Sequence, residues 1–124
     1  MPRARQGAVV LAVLRIVYGT VLCVAPASVT KRWLGADRRR PATQVALRGL
    51  GARDALIHAG ILRGALRDEP VRPWLAASVA GDCADIASTL TSADGLPDRA
   101  GPATAVVAGG AALLTAAVAF AVDR

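Results

Sequence analysis

Residues 103–122 are the stretch that most restricts what this chain can fold into. They read ATAVVAGGAALLTAAVAFAV, carry no charged residue, and would be apolar on every side of a helix. A helix of this kind either crosses a membrane or lies at the centre of a large protein. The chain has only 124 residues, so it is a single domain without such a centre. The stretch therefore predicts a transmembrane helix.

Three other apolar stretches have a length that suits a bilayer. Together with the first they predict spans at about 7–25, 44–66, 73–93 and 102–122. The second and third are separated only by a short turn rich in proline and charge, so we expect an antiparallel hairpin. The composition is 54% hydrophobic but only 3% aromatic, which is typical of small-residue helices that pack closely in lipid. The predicted fold is all-α: a four-helix transmembrane bundle, multi-pass in the cell membrane.

The first apolar stretch has an alternative interpretation as a cleaved signal peptide. Arg3 and Arg5 precede it, and residues 25–27, Ala-Pro-Ala, resemble a cleavage site. Arg15, however, interrupts the apolar region after only eight uncharged residues. That interruption favours a retained first span.

The basic residues collect at the ends of the apolar stretches. The segment 26–41, PASVTKRWLGADRRRP, sets Trp33 among basic residues, which is typical of a segment at a membrane surface. A solvated loop is the other interpretation of this segment. The net charge of +6 forms no basic face interleaved with aromatics, so it suits lipid headgroups better than nucleic acid. The predicted partners are the lipid bilayer and other membrane subunits or a second copy, and no nucleic acid.

Seven ionisable residues lie inside the predicted spans, where a charge is costly unless it is paired. They are Arg15 in the first span, Arg48, Arg53, Asp54 and His58 in the second, and Asp82 and Asp85 in the third. Cations and anions nearly balance, as pairing in an interior of low dielectric requires. We therefore expect these residues to form a polar core that joins the first three helices.

The spacing of these residues predicts which ones share a face. Asp54 and His58 lie one helical turn apart, whereas Arg53 is on another side of the same helix. In the third span a stripe of polar residues follows helical periodicity: Ser78, Asp82, Asp85, Thr89 and Ser92. We expect Arg53 to meet Asp82 or Asp85. In the first span Arg15 is expected to face inward, and Gly19 to allow close approach of a neighbouring helix.

The polar core has two interpretations. It could be purely structural, with ion pairs that set the register of weakly specified helices while Arg48 extends to a membrane face. It could instead be a site, in which the aspartates and His58 relay protons or bind a cation. An arginine-lined pocket would suit an anionic headgroup or a quinone carbonyl.

Catalytic and metal chemistry have little support in the sequence. No nucleophile, phosphate-loop or metal-binding motif is present. Cys23 and Cys83 are far apart in apolar stretches, which predicts two small buried side chains. We predict no catalytic residue, no metal and no cofactor, and favour a non-enzymatic role.

Three short motifs carry a resemblance: LRIVYG at 14–19, LGARD at 50–54 and DCAD at 82–85. In these motifs and in layout the chain resembles small four-helix bacterial membrane proteins of unknown function and, more distantly, the DoxX-like group. Some DoxX-like proteins are associated with membrane oxidoreductase assemblies, which implies a class of partner but no catalytic residue. The expected function is that of an accessory or assembly component of a membrane complex. The alternative is a proton- or ion-coupled carrier of a small solute, oligomeric because one chain encloses little volume.

Overall fold

A computed structural model of the protein describes residues 1–122. This part of the chain is all-α, as predicted, and it contains no strand. Short 3-10 turns at Gly35–Arg39 and Ala93–Gly95 complete the connections. In chain order the helices are α1 (Arg3–Val24), α2 (Pro26–Val29), α3 (Lys31–Leu34), α4 (Pro41–Leu66), α5 (Arg72–Thr91) and α6 (Ala100–Ala121).

Each predicted span falls largely within one of the four long helices, α1, α4, α5 and α6, although the helix ends differ by several residues. Proline explains where two of these helices begin, since Pro41 and Pro73 occupy the first turns of α4 and α5. Proline is tolerated there because the first N–H groups of a helix have no partner within it. Two helices, α1 and α6, are long and apolar enough to cross a membrane. Charged residues make α4 and α5 less apolar.

The four long helices run antiparallel to their sequence neighbours. Helix α1 packs most closely on α4, and α5 packs most closely on α6. The closest approach of α1 to α4 is at Gly19 and Gly51, where a Cβ on either glycine would overlap the backbone carbonyl oxygen of the other. The predicted close approach at Gly19 is therefore confirmed.

A tight turn joins α4 to α5, and the predicted antiparallel hairpin is confirmed. The Glu69 N–H donates to the Gly64 carbonyl oxygen over 2.9 Å. The Trp74 ring of α5 packs against Gly60, and Val71, just before α5, packs against Gly64. A Cβ on either glycine would overlap these side chains. Glycines on this face of α4 therefore receive bulky side chains from α5.

The basic segment between α1 and α4 is folded onto the helices. Leu34 is buried in a cluster with Leu22 and Leu47. The Trp33 indole donates from Nε1 to Thr104 Oγ1 of α6 over 2.9 Å. The segment is therefore helical and anchored, which excludes a fully solvated loop.

Several ionisable side chains are buried between the long helices, and many large apolar side chains are exposed. Large apolar side chains lie outside, with Leu113 and Val106 of α6 each 75% exposed. Polar groups lie inside, with Asp54 and Asp82 each 3% exposed and His58 fully buried. Small apolar clusters fill the two ends of the fold, and the ionisable groups occupy the space between them.

Candidate functional site: a buried ionic network beside a cavity

Arg15 of α1 joins α4 and α5 through two carboxylates. Its Nε and Nη2 atoms donate to Asp54 Oδ2 and Oδ1 of α4 at 2.9 and 2.6 Å. Its Nη1 and Nη2 atoms donate to Asp82 Oδ2 and Oδ1 of α5 at 3.3 and 2.8 Å. Both carboxylates are about 95% buried. A single positive charge is therefore shared between two carboxylates. The same guanidinium links the three helices α1, α4 and α5.

Arg53 and Asp85 form a second ion pair between α4 and α5. The Arg53 Nη1 and Nη2 atoms donate to Asp85 Oδ1 and Oδ2 at 3.1 and 2.8 Å, in the fork geometry that suits guanidinium and carboxylate. The guanidinium lies over Gly81, where a Cβ would come within 3.3 Å of its central carbon. The prediction that Arg53 meets Asp82 or Asp85 is confirmed for Asp85.

His58 connects the network to the polar stripe of α5. Its Nδ1 lies 2.7 Å from the backbone oxygen of Asp54, and because a carbonyl can only accept, Nδ1 carries a proton. Its Nε2 lies 3.2 Å from Ser78 Oγ. Nε2 accepts from Ser78 when the imidazole is neutral and donates to it when the imidazole is charged. His58 is thus held by both ring nitrogens behind Asp54.

The charges of the network do not cancel. Arg15 and Arg53 supply two positive charges, against three carboxylates from Asp54, Asp82 and Asp85. With all of these groups ionised and His58 neutral, one negative charge is left over. A net charge in a poorly solvated interior is unfavourable, so it attracts a proton or a cation.

A cavity of about 290 Å³ opens beside this network. The two arginines and three aspartates of the network line it together with Arg32, whereas His58 does not. Its other walls include two aromatic side chains, Tyr18 and Trp33, and apolar side chains of α6 such as Val107 and Ala108. The cavity thus combines a charged base with apolar and aromatic walls.

Arg48 lies outside the network, unlike the other six predicted residues. Its Nε donates to the Cys23 carbonyl oxygen over 3.1 Å, and its side chain is exposed. The interpretation in which Arg48 extends away from the polar core agrees with this exposed position. The prediction of two buried cysteines is wrong, because Cys83 is exposed and Cys23 is only partly buried.

Sequence reasoning did not single out Tyr18 or Trp33 as site residues. Tyr18 stands one helical turn after Arg15, and that spacing is the signal that could have placed it near the same level. Trp33 reaches the cavity because α3 folds back onto α6, a long-range contact that no local pattern contains. His58 of α4 meets Ser78, a member of the polar stripe predicted for the third span.

Comparisons with known proteins give no relative for this arrangement: no family model, no curated protein and no solved structure matches the chain. The resemblance to DoxX-like proteins stays a prediction.

Proposed function

We propose that the chain is a multi-pass membrane protein and that α1, α4, α5 and α6 all cross the bilayer as a four-helix bundle. The single observation that carries this is the set of large apolar side chains exposed along the long helices, around a buried group of ionic side chains. In water, so many exposed valines and leucines, together with Phe120, would leave a large apolar surface in contact with solvent, which is unfavourable.

The charges of α4 and α5 fit such a placement because they point at one another. Alone, each mid-membrane Arg or Asp adds about 2.5–3.5 kcal/mol to the cost of insertion. Pairing of Arg53 with Asp85, and of Arg15 with two carboxylates, keeps these groups away from lipid tails. Helices α4 and α5, which would insert poorly on their own, can therefore be stable in the membrane within the assembled fold.

The retained state of α1 is supported by the network itself. Cleavage near residues 25–27 would remove Arg15, and Asp54 and Asp82 would then be buried without a cation. Removing one partner of a buried pair typically costs about 3–5 kcal/mol. We therefore propose that α1 is a permanent span.

Labelling of single cysteines tests this topology. With Cys23 and Cys83 replaced by alanine, Ala36→Cys and Gly95→Cys should react with a membrane-impermeant maleimide from one side of sealed vesicles. Asp68→Cys, in the turn between α4 and α5, should react only from the other side. Reaction of positions 36 and 68 from the same side would overturn four spans.

Within the membrane, we propose a role as an accessory or assembly component of a larger complex. The outer face of α5 supports this, because its exposed residues at helical spacing are small: Ala76, Ala80, Ala84 and Ala87. This face is opposite the polar stripe that faces the network. Small residues let another transmembrane helix approach closely, which is how helices associate in lipid.

A bulky substitution on this face tests the accessory role. Ala84→Leu should abolish co-purification of partner subunits in mild detergent and leave the level of the protein unchanged. Ala117→Leu, an equal change at an exposed position of α6, is the matched control and should retain the partners. A wild-type protein that emerges alone and monomeric would contradict the accessory role.

A proton- or ion-coupled carrier is the second candidate, favoured by the three carboxylates that line a cavity. Asp85→Asn separates the two functions, because Asp85 is less buried than Asp54 or Asp82. For a carrier, this variant should abolish solute or proton flux in proteoliposomes while the protein still accumulates. For an accessory component, it should instead weaken the assembly or lower the protein level.

A further inference from the structure

We infer that a basic groove at one end of the long helices binds the phosphate of an anionic phospholipid, and that one acyl chain of this lipid lies in the cavity beside the ionic network. The inference rests on the proposed placement in the membrane and goes beyond the accessory role. Three observations support it: the charge of the groove, the lack of bonded carboxylates on its cations, and its continuity with apolar walls.

The groove lies where the two connections at this end of the fold come together. It has a volume of about 440 Å³, and it is formed by α3, the turn after α3 and the loop before α6. Three of its lining residues are cations and one is a carboxylate, so two positive charges are unmatched. The lining residues are Lys31, Arg32, Gly35, Pro97, Asp98 and Arg99.

The three cations of the groove are free to receive an anion. Lys31, Arg32 and Arg99 are exposed, and within residues 1–122 none of them forms an ion pair. At the other end of the fold Arg63 is also exposed, yet it donates to Glu69 over 3.3 Å. An anion in the groove therefore meets three cations and displaces no carboxylate from any of them.

The ionic network beneath the groove does not reverse this preference. Its three carboxylates are already bonded to Arg15 or Arg53. Arg32 lines the network cavity as well as the groove, and over the two linings together five cations face four carboxylates. The combined site therefore still has an excess of positive charge, and the cations without an ion pair are those of the groove.

The groove continues into walls that suit an acyl chain. The two spaces meet at Arg32, which lines both. The neighbouring cavity has apolar side chains in its lining, among them Val29 before α3 and Ala103 and Val107 of α6. Val29 and Val107 are 46% and 63% exposed, so these walls reach the outer surface. A free anion would use only the groove, whereas a lipid would use both the groove and the apolar walls.

The position of the groove matches the level of lipid headgroups. Arg99 directly precedes α6, and Lys31 and Arg32 follow the end of α1 by a few residues. The ends of membrane-spanning helices lie at the headgroups, where basic pockets between helices bind anionic lipids. The N-terminal end of α6 adds a partial positive charge at the same place.

Titration of the purified full chain in a neutral detergent, with bound lipid counted by native mass spectrometry, tests the inference. The probes are dioctanoylphosphatidylglycerol, phosphatidylcholine with the same chains, and glycerol phosphate as the headgroup without a tail. Phosphatidylglycerol should bind at least about fivefold more tightly than phosphatidylcholine. Equal binding of the two lipids would overturn the inference. If glycerol phosphate competes as well as the lipid does, the ligand is a free phosphate and the assignment to a lipid is wrong.

Substitution of one arginine locates the phosphate. Arg99→Gln should lower the affinity for phosphatidylglycerol about fivefold, and Arg99→Lys should keep most of it because the charge remains. The Arg99 side chain does not cap α6, so neither change removes a bond of the fold. Arg39→Gln is the matched control, since Arg39 is an exposed arginine near the same end that does not line the groove. An equal loss in both glutamine variants would show diffuse attraction instead of a site.

A second pair of variants locates the acyl chain. Ala103→Leu narrows the apolar part of the cavity and should lower the affinity for phosphatidylglycerol about threefold. Ala105→Leu makes the same change at an exposed position of α6 that does not line the cavity, and it should have no effect. Unchanged affinity of Ala103→Leu would contradict the placement of the chain.

The result is distinguishable from failure of the proposed topology. If the cysteine labelling shows that the helices do not span the bilayer, the proposed function fails. If the labelling agrees with four spans and phosphatidylglycerol shows no preference over phosphatidylcholine, only the inference on the groove fails.

Discussion

The guanidinium of Arg15 binds the carboxylate of Asp54 through two nitrogens, at 2.6 and 2.9 Å, across the interface between α1 and α4. The same guanidinium reaches Asp82 on α5. A single side chain of the first helix therefore holds together charges that the second and third helices could not carry alone.

Loss of Arg15 should be the most damaging single change in the network. Arg15→Gln leaves Asp54 and Asp82 buried without a cation, so we expect about 3–5 kcal/mol of destabilisation and a low level of protein in the membrane. Thermal unfolding in detergent, followed by size-exclusion chromatography, measures the effect. Arg48→Gln is the control, because Arg48 is exposed and makes a single bond to a backbone oxygen. Equal stability of the two variants would show that Arg15 does not hold the network.

The two arginines should differ in how strongly they couple to their aspartates. A double-mutant cycle with Arg53→Gln and Asp85→Asn should give a coupling free energy of about 1 kcal/mol, because these side chains are 36% and 28% exposed. The cycle of Arg15→Gln with Asp54→Asn should give about 2–3 kcal/mol, since this pair is more buried. Chemical denaturation of the purified variants gives both values. The reverse order would contradict the geometry of the network.

Two glycines of α4 should respond in opposite directions to alanine. Gly51→Ala places a Cβ against the backbone of α1 at Gly19 and should destabilise the protein by about 1–3 kcal/mol. Gly49→Ala meets nothing within 4 Å and should stabilise the helix by up to about 1 kcal/mol. The midpoint of thermal unfolding distinguishes them. A Gly51→Ala variant as stable as wild type would mean that α1 and α4 do not cross there.

Two buried threonines of α6 provide another opposed pair. Thr115 is fully buried, and its hydroxyl has no hydrogen-bond partner among residues 1–122, so Thr115→Val should be neutral or stabilising by about 1 kcal/mol. Thr104 accepts the Trp33 indole bond, so Thr104→Val should cost about 1 kcal/mol or more. The same unfolding assay compares them. Destabilisation by Thr115→Val would indicate a polar partner for that hydroxyl.

Most of the helices could be predicted because their signals are local. The uncharged residues 103–122, the prolines at 41 and 73, and the polar stripe of residues 78–92 each lie within one stretch of sequence. The face shared by Asp54 and His58, and the separate direction of Arg53, follow from the geometry of a helix alone. The contact between Arg53 and Asp85 was predictable to within one helical turn, because the short turn forces the two helices together.

The assignment of the remaining charges needed the tertiary structure. Three basic residues, Arg48, Arg53 and His58, lie in the middle part of α4, yet only packing decides that Arg48 points outward while Arg53 turns toward α5. Arg15 meets Asp54 and Asp82 because α1 and α4 cross at Gly19 and Gly51, a contact between residues far apart in sequence. The cavity arises from the same cause, since α3 folds back to bring Trp33 to α6. Periodicity determines which residues share a face, but only the packing of one helix on another determines which faces meet.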